Sequence, residues 1–311
     1  MVLNADLSHQ DYTARQFREL ESDRLLERAM VSRPSGNYRY NRLALADGRG
    51  ETPADGVQSG TPTGGDRRGV LGDGAQSGTP ADDMRGEAES NGAGWAPQPY
   101  PGFAVVSMVD ENPGNTPLPD ALKAIQVELL EQCPWEGCLY PLPASSFHQT
   151  VANTLSEERF LQYIVRPGLE PVYPDLIAMV FEKMPVRPVG ALPMRLIGLS
   201  IFGTALGILG VFDNEADYCR ILDFRSAFYG DAGLQALDIR MTRPFIGHIT
   251  LAYIEADLNT RQREELAAAV HRINRSLGRS LPAFNLSLAG LRRYHHLSAF
   301  LREVDYPQYH L

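Results

Sequence analysis

Residues 49–94 contain few of the large apolar side chains that a packed core requires. The stretch is rich in Gly, Pro, Ser, Thr and Asp, and the pentapeptide QSGTP occurs twice, at residues 58–62 and 76–80. Such a composition cannot bury enough apolar surface to offset the conformational entropy lost on ordering. We therefore predict a flexible insertion here, between an N-terminal helix and strand at residues 1–48 and a folded domain at residues 95–311.

Strand and helix patterns are interspersed in the two flanking segments. Short β-rich apolar runs predict strands, and apolar residues at helical spacing between charged residues predict helices. The first helix, at residues 11–31, could dock on the main domain or bind a partner. The mixture predicts an α+β fold. The predicted strands include residues 103–108, 145–155, 194–202, 205–212 and 244–253, and further helices are predicted at residues 118–133, 214–228 and 259–278.

Two of these strands carry a His and a Thr two residues apart. SSFHQTVANTL contains His148 and Thr150, and FIGHITLAY contains His248 and Thr250. Because side chains alternate between the two faces of a strand, each His shares a face with its Thr. The spacing alone is a weak signal, since His296 is also followed two residues later by a Ser. What strengthens it is that both copies lie in predicted strands, each followed by a helix, which indicates two similar lobes.

The same alternation predicts where the neighbouring side chains point. Ala152 and Ala252 are expected beside the His and Thr side chains. Gln149 and Tyr253 are expected on the opposite face, which is apolar in the second strand and should pack against helices, so Tyr253 is predicted to be a core residue. A small, polar face suits the floor of a cleft better than a core. Two half-buried, hydrogen-bonded core histidines would nevertheless give the same pattern.

With their flanks, PLPASSFHQTV and FIGHITLAYI, the two tripeptides resemble the motifs of the two-histidine (2H) phosphoesterase superfamily, and of an uncharacterised bacterial branch within it. The resemblance covers about residues 99–304. It implies a bilobal, LigT-like α+β fold with pseudo-two-fold symmetry, in which two antiparallel sheets line a central cleft and helices lie outside. Two features depart from the family: the insertion at residues 49–94, and Gln149 in place of an apolar residue, which would fit a partly exposed back face.

The resemblance implies a metal-independent phosphodiesterase that acts on a cyclic, 2′,3′-type or a 2′-linked phosphodiester of a nucleotide or RNA end. His148 and His248 would be the catalytic base and acid, in an order that the sequence does not define, because imidazole can accept or donate a proton near neutral pH. Thr150 and Thr250 would donate hydrogen bonds to the phosphoryl oxygens. Arg243 is a further candidate to bind the substrate anion, and a solvated arginine at the start of a strand is the alternative.

Two other functions fit the same sequence. A non-catalytic module could use the cleft to bind a nucleotide or RNA end without turning it over. Alternatively, the first helix and the tract at residues 49–94 could act as a partner-binding region. The physiological substrate, the bond cleaved and the isomer released are not defined by the motifs.

Charge and hydropathy restrict the expected partners. A formal net charge of −9 argues against tight binding of long nucleic acid, which requires a dense basic surface. A small phosphate ligand in a local pocket remains compatible with it. No apolar run reaches about 18 residues without a charge, and the first residues lack a signal-peptide pattern. We expect a cytoplasmic monomer with a small nucleotide or RNA-end substrate, no cofactor and no metal site, since the histidines lack metal-ligand spacing.

Overall fold

Eight α-helices and three antiparallel sheets make up the part of the chain that the structure, a computed structural model, describes. The chain therefore has a mixed helical and β architecture. Apart from Gly94, the insertion predicted at residues 49–94 lies outside the described residues. The described residues are 6–41, 94–185, 190–277 and 281–311.

The strands predicted from the sequence are present, with small shifts at their ends. Gly203 and Thr204, between the predicted strands at residues 194–202 and 205–212, form a tight hairpin turn. The strands are β1 (Tyr38–Tyr40), β2 (Trp95–Pro97), β3 (Gly102–Met108), β4 (Leu139–Pro141), β5 (His148–Ser156), β6 (Leu192–Phe202), β7 (Ala205–Phe212), β8 (His248–Ile254), β9 (Phe284–Leu286), β10 (Leu288–Tyr294) and β11 (Gln308–His310).

Two of the helices predicted from the sequence begin at asparagine caps. Asn259 Oδ1 accepts from the backbone N–H of Gln262 (3.0 Å), and Asn214 Oδ1 accepts from that of Asp217 (2.9 Å). Among the described residues, no helix combines the length and the hydropathy needed to span a membrane. The α-helices are α1 (His9–Arg18), α2 (Ser22–Met30), α3 (Leu118–Gln132), α4 (Glu157–Phe160), α5 (Tyr173–Lys183), α6 (Glu215–Gly230), α7 (Ala232–Ala236) and α8 (Thr260–Leu277).

Each of the two larger sheets contains one of the His-x-Thr strands. The four-stranded sheet has the order β11-β10-β3-β5, so β5 lies at its edge. The five-stranded sheet has the order β4-β8-β7-β6-β9, and β1 and β2 form the third, small sheet. Every residue of β3 and β7 is buried, because both faces of these strands are covered. The two motif strands thus lie beside fully buried strands, which fix their backbones.

The helix predicted at residues 11–31 is two helices, α1 and α2, which pack on the five-stranded sheet. Tyr12 Oη donates to Gly210 O (2.6 Å), and Gln16 Nε2 donates to Gly210 O (3.0 Å) and Gly247 O (2.8 Å). A Cβ at Gly247 would lie 2.5 Å from Tyr12 Oη, so this close approach requires glycine. In the structure this segment therefore docks on the domain, which is one of the two roles considered for it.

Candidate active site

A single cavity of about 590 Å³ is lined by residues of both larger sheets. It contains all five residues selected from the sequence: His148, Thr150, Arg243, His248 and Thr250. A cavity of this size is in the range that proteins use for small ligands. The two motif strands, which are a hundred residues apart in the sequence, therefore face one common space.

The two motif imidazoles are held in matching ways. His148 Nδ1 lies 2.7 Å from Ser146 O, and His248 Nδ1 lies 3.0 Å from Ile246 O, in each case the carbonyl two residues earlier. A carbonyl oxygen only accepts, so Nδ1 of each neutral ring carries the proton. Nε2 is then the acceptor, and no described residue forms a hydrogen bond with it in either ring. Both rings are thus prepared to take a proton at Nε2.

Burial lowers the pKa of both imidazoles. Each ring is half-buried, with Phe300 4.1 Å from His148 and Phe202 5.2 Å from His248 between ring centroids. Desolvation, with smaller contributions from positive charge on His248 and Arg292, lowers the pKa of His148 to about 4, against the opposing effect of the hydrogen bond to Ser146 O. Desolvation and then the charge of Arg243 lower the pKa of His248. Without a bound anion, both rings are therefore neutral at pH 7.

A β-bulge follows the threonine in both motif strands. In β5, Thr150 pairs with Val106 and Ala152 pairs with Val105, so one residue of β5 lacks a partner. In β8, Thr250 and Ala252 likewise pair with consecutive residues of β7. An extra residue reverses the alternation of side chains beyond it. The bulges therefore change which residues enter the cavity.

The prediction that Ala152 and Ala252 share the His-Thr face is wrong, because of these bulges. Both alanines are fully buried at 0% exposure, and Asn153 and Tyr253 line the cavity in their place. Tyr253, expected in the core by simple alternation, is only partly buried. Each motif strand thus presents three side chains to the cavity: a His, a Thr and a larger polar group three residues after the Thr.

Buried polar side chains hold the carbonyl groups at the two bulges. Arg225 Nη1, on α6, donates to Val151 O (3.0 Å), and Gln126 Nε2, on α3, donates to Leu251 O (2.6 Å). Arg225 is 4% exposed and Gln126 is 0% exposed, so these bonds form away from solvent. Sequence reasoning missed both residues, although a polar residue within the apolar face of a predicted helix is a signal for such a contact.

Arg225 also orders the chain that leads into β8. Its Nη2 donates to Arg243 O (2.8 Å), and its Nε lies 3.2 Å from Asp6 Oδ2. Asp6 Oδ1 accepts from the backbone N–H of Phe245 (2.6 Å). The backbone around Arg243 is therefore fixed, while its exposed guanidinium lines the cavity and makes no hydrogen bond or ion pair with any described residue. This free cation beside the two imidazoles favours an anionic ligand.

Tyrosines and the N-terminal segment complete the walls of the cavity. Tyr100 and Tyr294 line it, with ring centroids 6.3 Å apart at an interplanar angle of 20°. Ser35 and Gly36 contribute from the N-terminal segment, which Glu255 anchors by accepting from the Gly36 N–H (3.0 Å). No motif marks these residues, because only the tertiary fold brings them to the cavity.

His296, the third His with a Ser two residues later, lies in the turn after β10. Its Nδ1 is 2.8 Å from Ser298 Oγ, and the cavity lining includes its neighbours Leu297 and Phe300 but not His296 itself. Among the described residues, no group of three or more His, Cys, Asp or Glu side chains is arranged to hold a metal ion. The chemistry of the cavity thus centres on the two motif histidines.

Comparisons with known proteins show the fold and no more. No family model matches the chain, and no curated protein matches it. Among solved structures, a conserved protein of unknown function from Agrobacterium tumefaciens, ATU0111, superposes with a TM-score of 0.51 at 20% identity, covering 67% of this chain and 86% of that one. TT0787 of Thermus thermophilus gives a TM-score of 0.37 at 17% identity, over 67% of this chain and 94% of that one. The likeness to ATU0111 shows a shared fold.

Proposed function

We propose that this protein is a metal-independent phosphodiesterase of the two-histidine type, acting on a cyclic, 2′,3′-type or a 2′-linked phosphodiester of a nucleotide or RNA end. The observation that carries the proposal is the matched pair of motifs in one cavity. His148 and His248 have the same tautomer, the same type of carbonyl partner and a Thr two residues later. A single ring held in this way would be a common core feature, whereas a matched pair suits a reaction that needs a base and an acid together.

We further propose that the two larger sheets are the two lobes of a LigT-like fold related by a pseudo-two-fold axis. Each sheet contributes one His-x-Thr strand, and each strand has a bulge after its Thr. In each case a buried side chain from a helix donates to the bulged backbone. This repetition of local detail, and not only of sequence, supports a repeated lobe.

In the proposed reaction, Nε2 of one neutral imidazole takes a proton from water as the water oxygen bonds to phosphorus. The bond from phosphorus to the leaving oxygen breaks, and the other imidazole, protonated, gives its Nε2 proton to that oxygen. Thr150 and Thr250 donate to the non-bridging oxygens, where negative charge develops. Arg243 attracts the diester into the cavity. The proton removed and the proton delivered balance, so the pair ends the step with its single proton on the other ring, and proton exchange with water restores the starting state.

A turnover assay in EDTA tests the proposal directly. The purified chain would be incubated with 2′,3′-cyclic nucleotides and a 2′,5′-linked dinucleotide, and the products separated by chromatography. We expect hydrolysis of at least one of these in EDTA and its loss in the His148→Ala variant. Thermal stabilisation by these ligands without any product would instead identify a non-catalytic binding module. Hydrolysis that persists unaltered in both single His→Ala variants would exclude the proposed mechanism.

The pH dependence of kcat/KM is expected to reach its maximum below pH 6.5. The pKa of His148 lies at about 4 and that of His248 lies below its usual value near 6.5, so the free protein holds the required single proton only below pH 6.5. At higher pH the pair loses the proton of the acid, and at a pH low enough to protonate both rings the base is lost.

The kcat profile should lie at higher pH than the kcat/KM profile, because a bound diester anion stabilises the protonated ring and raises its pKa. Initial rates from pH 3.5 to 9, at saturating and at low substrate concentrations, measure the two profiles separately. A kcat/KM that rises continuously up to pH 8 would contradict the assignment of both lowered pKa values to catalytic groups.

Replacement of Arg243 with Gln is expected to raise KM about 10-fold with a smaller effect on kcat, since a hydrogen bond to a charged group contributes about 1.5–3 kcal/mol. The backbone carbonyl that binds Arg225 is retained, so the change acts on the side chain alone. Arg240→Gln is the matched control, because Arg240 is also exposed but pairs with Asp238 (3.3 Å) and does not line the cavity. Equal KM values for the two variants would exclude substrate binding by Arg243.

A further inference from the structure

Gln149, the middle residue of the first motif, connects the two motif strands. The prediction of a partly exposed back face is wrong, since Gln149 is 0% exposed. Its Oε1 accepts from the backbone N–H of His248 (2.6 Å). Its Nε2 donates to Ile246 O (3.1 Å) and to Thr150 O (2.7 Å). Both ends of this amide are therefore bonded to backbone groups, two of them in or next to the other motif.

Gln149 bonds to the five-stranded sheet at a backbone N–H, that of His248, which is not used in the pairing of β8 with β4. On one side of β8, β7 pairs with residues that include His248. On the other side, β4 reaches only Ala252, Tyr253 and Ile254. The N–H of His248 is thus free of the β4 ladder, and β5, an edge strand of the other sheet, supplies an acceptor through the side chain of Gln149. A buried N–H without a partner would be destabilising.

Ile246 O is the contact through which Gln149 reaches the catalytic ring. This carbonyl accepts from Gln149 Nε2 and also from His248 Nδ1 (3.0 Å), the bond that determines the tautomer of His248. The same amide therefore fixes the backbone N–H of His248 and the acceptor of its ring. The ring of His148 has the same type of carbonyl partner, but that acceptor, Ser146 O, forms no hydrogen bond with Gln149 among the described residues.

From this geometry we infer that Gln149 is a positioning residue for His248. It holds the ring in the Nδ1–H tautomer and ties its strand to the strand of His148, so that the two imidazoles keep a constant relative placement. The catalytic consequence rests on the proposed function, whereas the tautomer and orientation of His248 do not. A purely structural amide would stabilise the fold without acting on one ring more than on the other.

The test compares Gln149→Leu with the wild-type chain by long-range ¹H–¹⁵N NMR of the imidazoles and by steady-state kinetics. In the wild type, both motif rings should give the Nδ1–H pattern at pH 7. In Gln149→Leu, we expect His248 to populate both tautomers while His148 is unchanged. We also expect kcat to fall about 10- to 100-fold with little change in KM, as misplacement of a reacting group by a fraction of an ångström to one ångström does.

Asn274→Leu is the matched control. Asn274 is a partly buried amide that accepts from Leu199 N (2.7 Å) and donates to Leu199 O (2.8 Å) in β6, outside the lining of the cavity. Its loss should lower Tm but leave both imidazole patterns and kcat unchanged. Gln149→Glu provides a second variant, because a protonated carboxyl keeps an acceptor and can replace one of the two donated hydrogen bonds of the amide. The activity of this variant relative to wild type should therefore recover as the pH falls.

The outcomes separate the two proposals. A folded Gln149→Leu variant with an unchanged His248 tautomer overturns the positioning role, and so does an equal change in His148 and His248. If Gln149→Leu does not fold, a Gln149→Glu variant that shows no pH-dependent recovery of the Nδ1–H pattern of His248 has the same meaning. If the wild type hydrolyses no diester but Gln149→Leu alters only His248, the phosphodiesterase proposal fails while the positioning role stands.

Discussion

Alanine in place of His148 or His248 is expected to lower kcat by about 10²–10⁴-fold, the range for loss of a general acid or base. KM should stay within a few-fold, because the threonines and Arg243, which we propose bind the anion, remain. Steady-state kinetics with the best diester from the substrate panel, at the optimum pH of the wild type, measure the effect. Each ring is half-buried and bonded to a single carbonyl, so the variants should fold.

The double variant distinguishes a catalytic pair from two independent contributions. If one ring cannot act without the other, the double variant should be about as slow as the slower single variant, as found for catalytic residues that act as a unit. His271→Ala is the matched control, since His271 lies on α8, outside the cavity lining, and its Nδ1 contacts only Ser22 Oγ (3.1 Å) among the described residues. Its kcat should equal that of wild type. A kcat within two-fold of wild type in either motif variant would remove that histidine from the mechanism.

The sequence was sufficient to locate the motif residues because their signals are local. Period-two alternation placed His148 with Thr150 and His248 with Thr250, and the structure has each pair on the cavity side of its strand. The hairpin between β6 and β7 was equally predictable, since glycines in a short apolar segment indicate a tight turn. These features depend on neighbours within a few residues.

The alternation of side chains predicted the wrong face for residues after the two threonines, because a bulge depends on how two strands pair. Whether β8 contains an extra residue depends on its register with β7, and the sequence of β8 alone does not contain that register. Ala252 therefore lies in the core and Tyr253 lines the cavity, the reverse of the prediction. Gln149 was misjudged for a related reason: two of its three partners, the N–H of His248 and Ile246 O, are about a hundred residues away in the sequence.

Contacts near the site between residues that are far apart in the sequence could not be predicted from it. Asp6 reaches Arg225 and the backbone of Phe245, more than 200 residues along the chain, and the three groups lie together only in the tertiary structure. A lone Asp near the start of a chain and a lone Arg on a helix are, in sequence, ordinary surface residues. Their burial, with side-chain exposures of 2% and 5%, is what makes them important.

Replacing Asp6 with Ala is expected to lower the free energy of unfolding by about 3–5 kcal/mol, because it leaves the buried guanidinium of Arg225 without its counter-charge. The backbone N–H of Phe245 also loses its acceptor. Denaturation by urea at pH 7 measures the change. Asp213→Ala is the matched control: Asp213 pairs with Arg195 at 2.7 Å, but the two side chains are 62% and 45% exposed, and such surface pairs contribute about 0–1 kcal/mol.

Combining Asp6→Ala with Arg225→Met separates the ion pair from the other bonds of the arginine. The double variant should lose less stability than the sum of the two single losses, because it contains no unpaired buried charge. It should still be less stable than wild type, since Val151 O and Arg243 O lose their donor. These carbonyls lie at the bulge of β5 and on Arg243, the residue proposed to bind the substrate, so KM should rise in the double variant more than in Asp6→Ala. Additive losses, or an Asp6→Ala variant within 1 kcal/mol of wild type, would show that the N-terminal segment does not support the site through this pair.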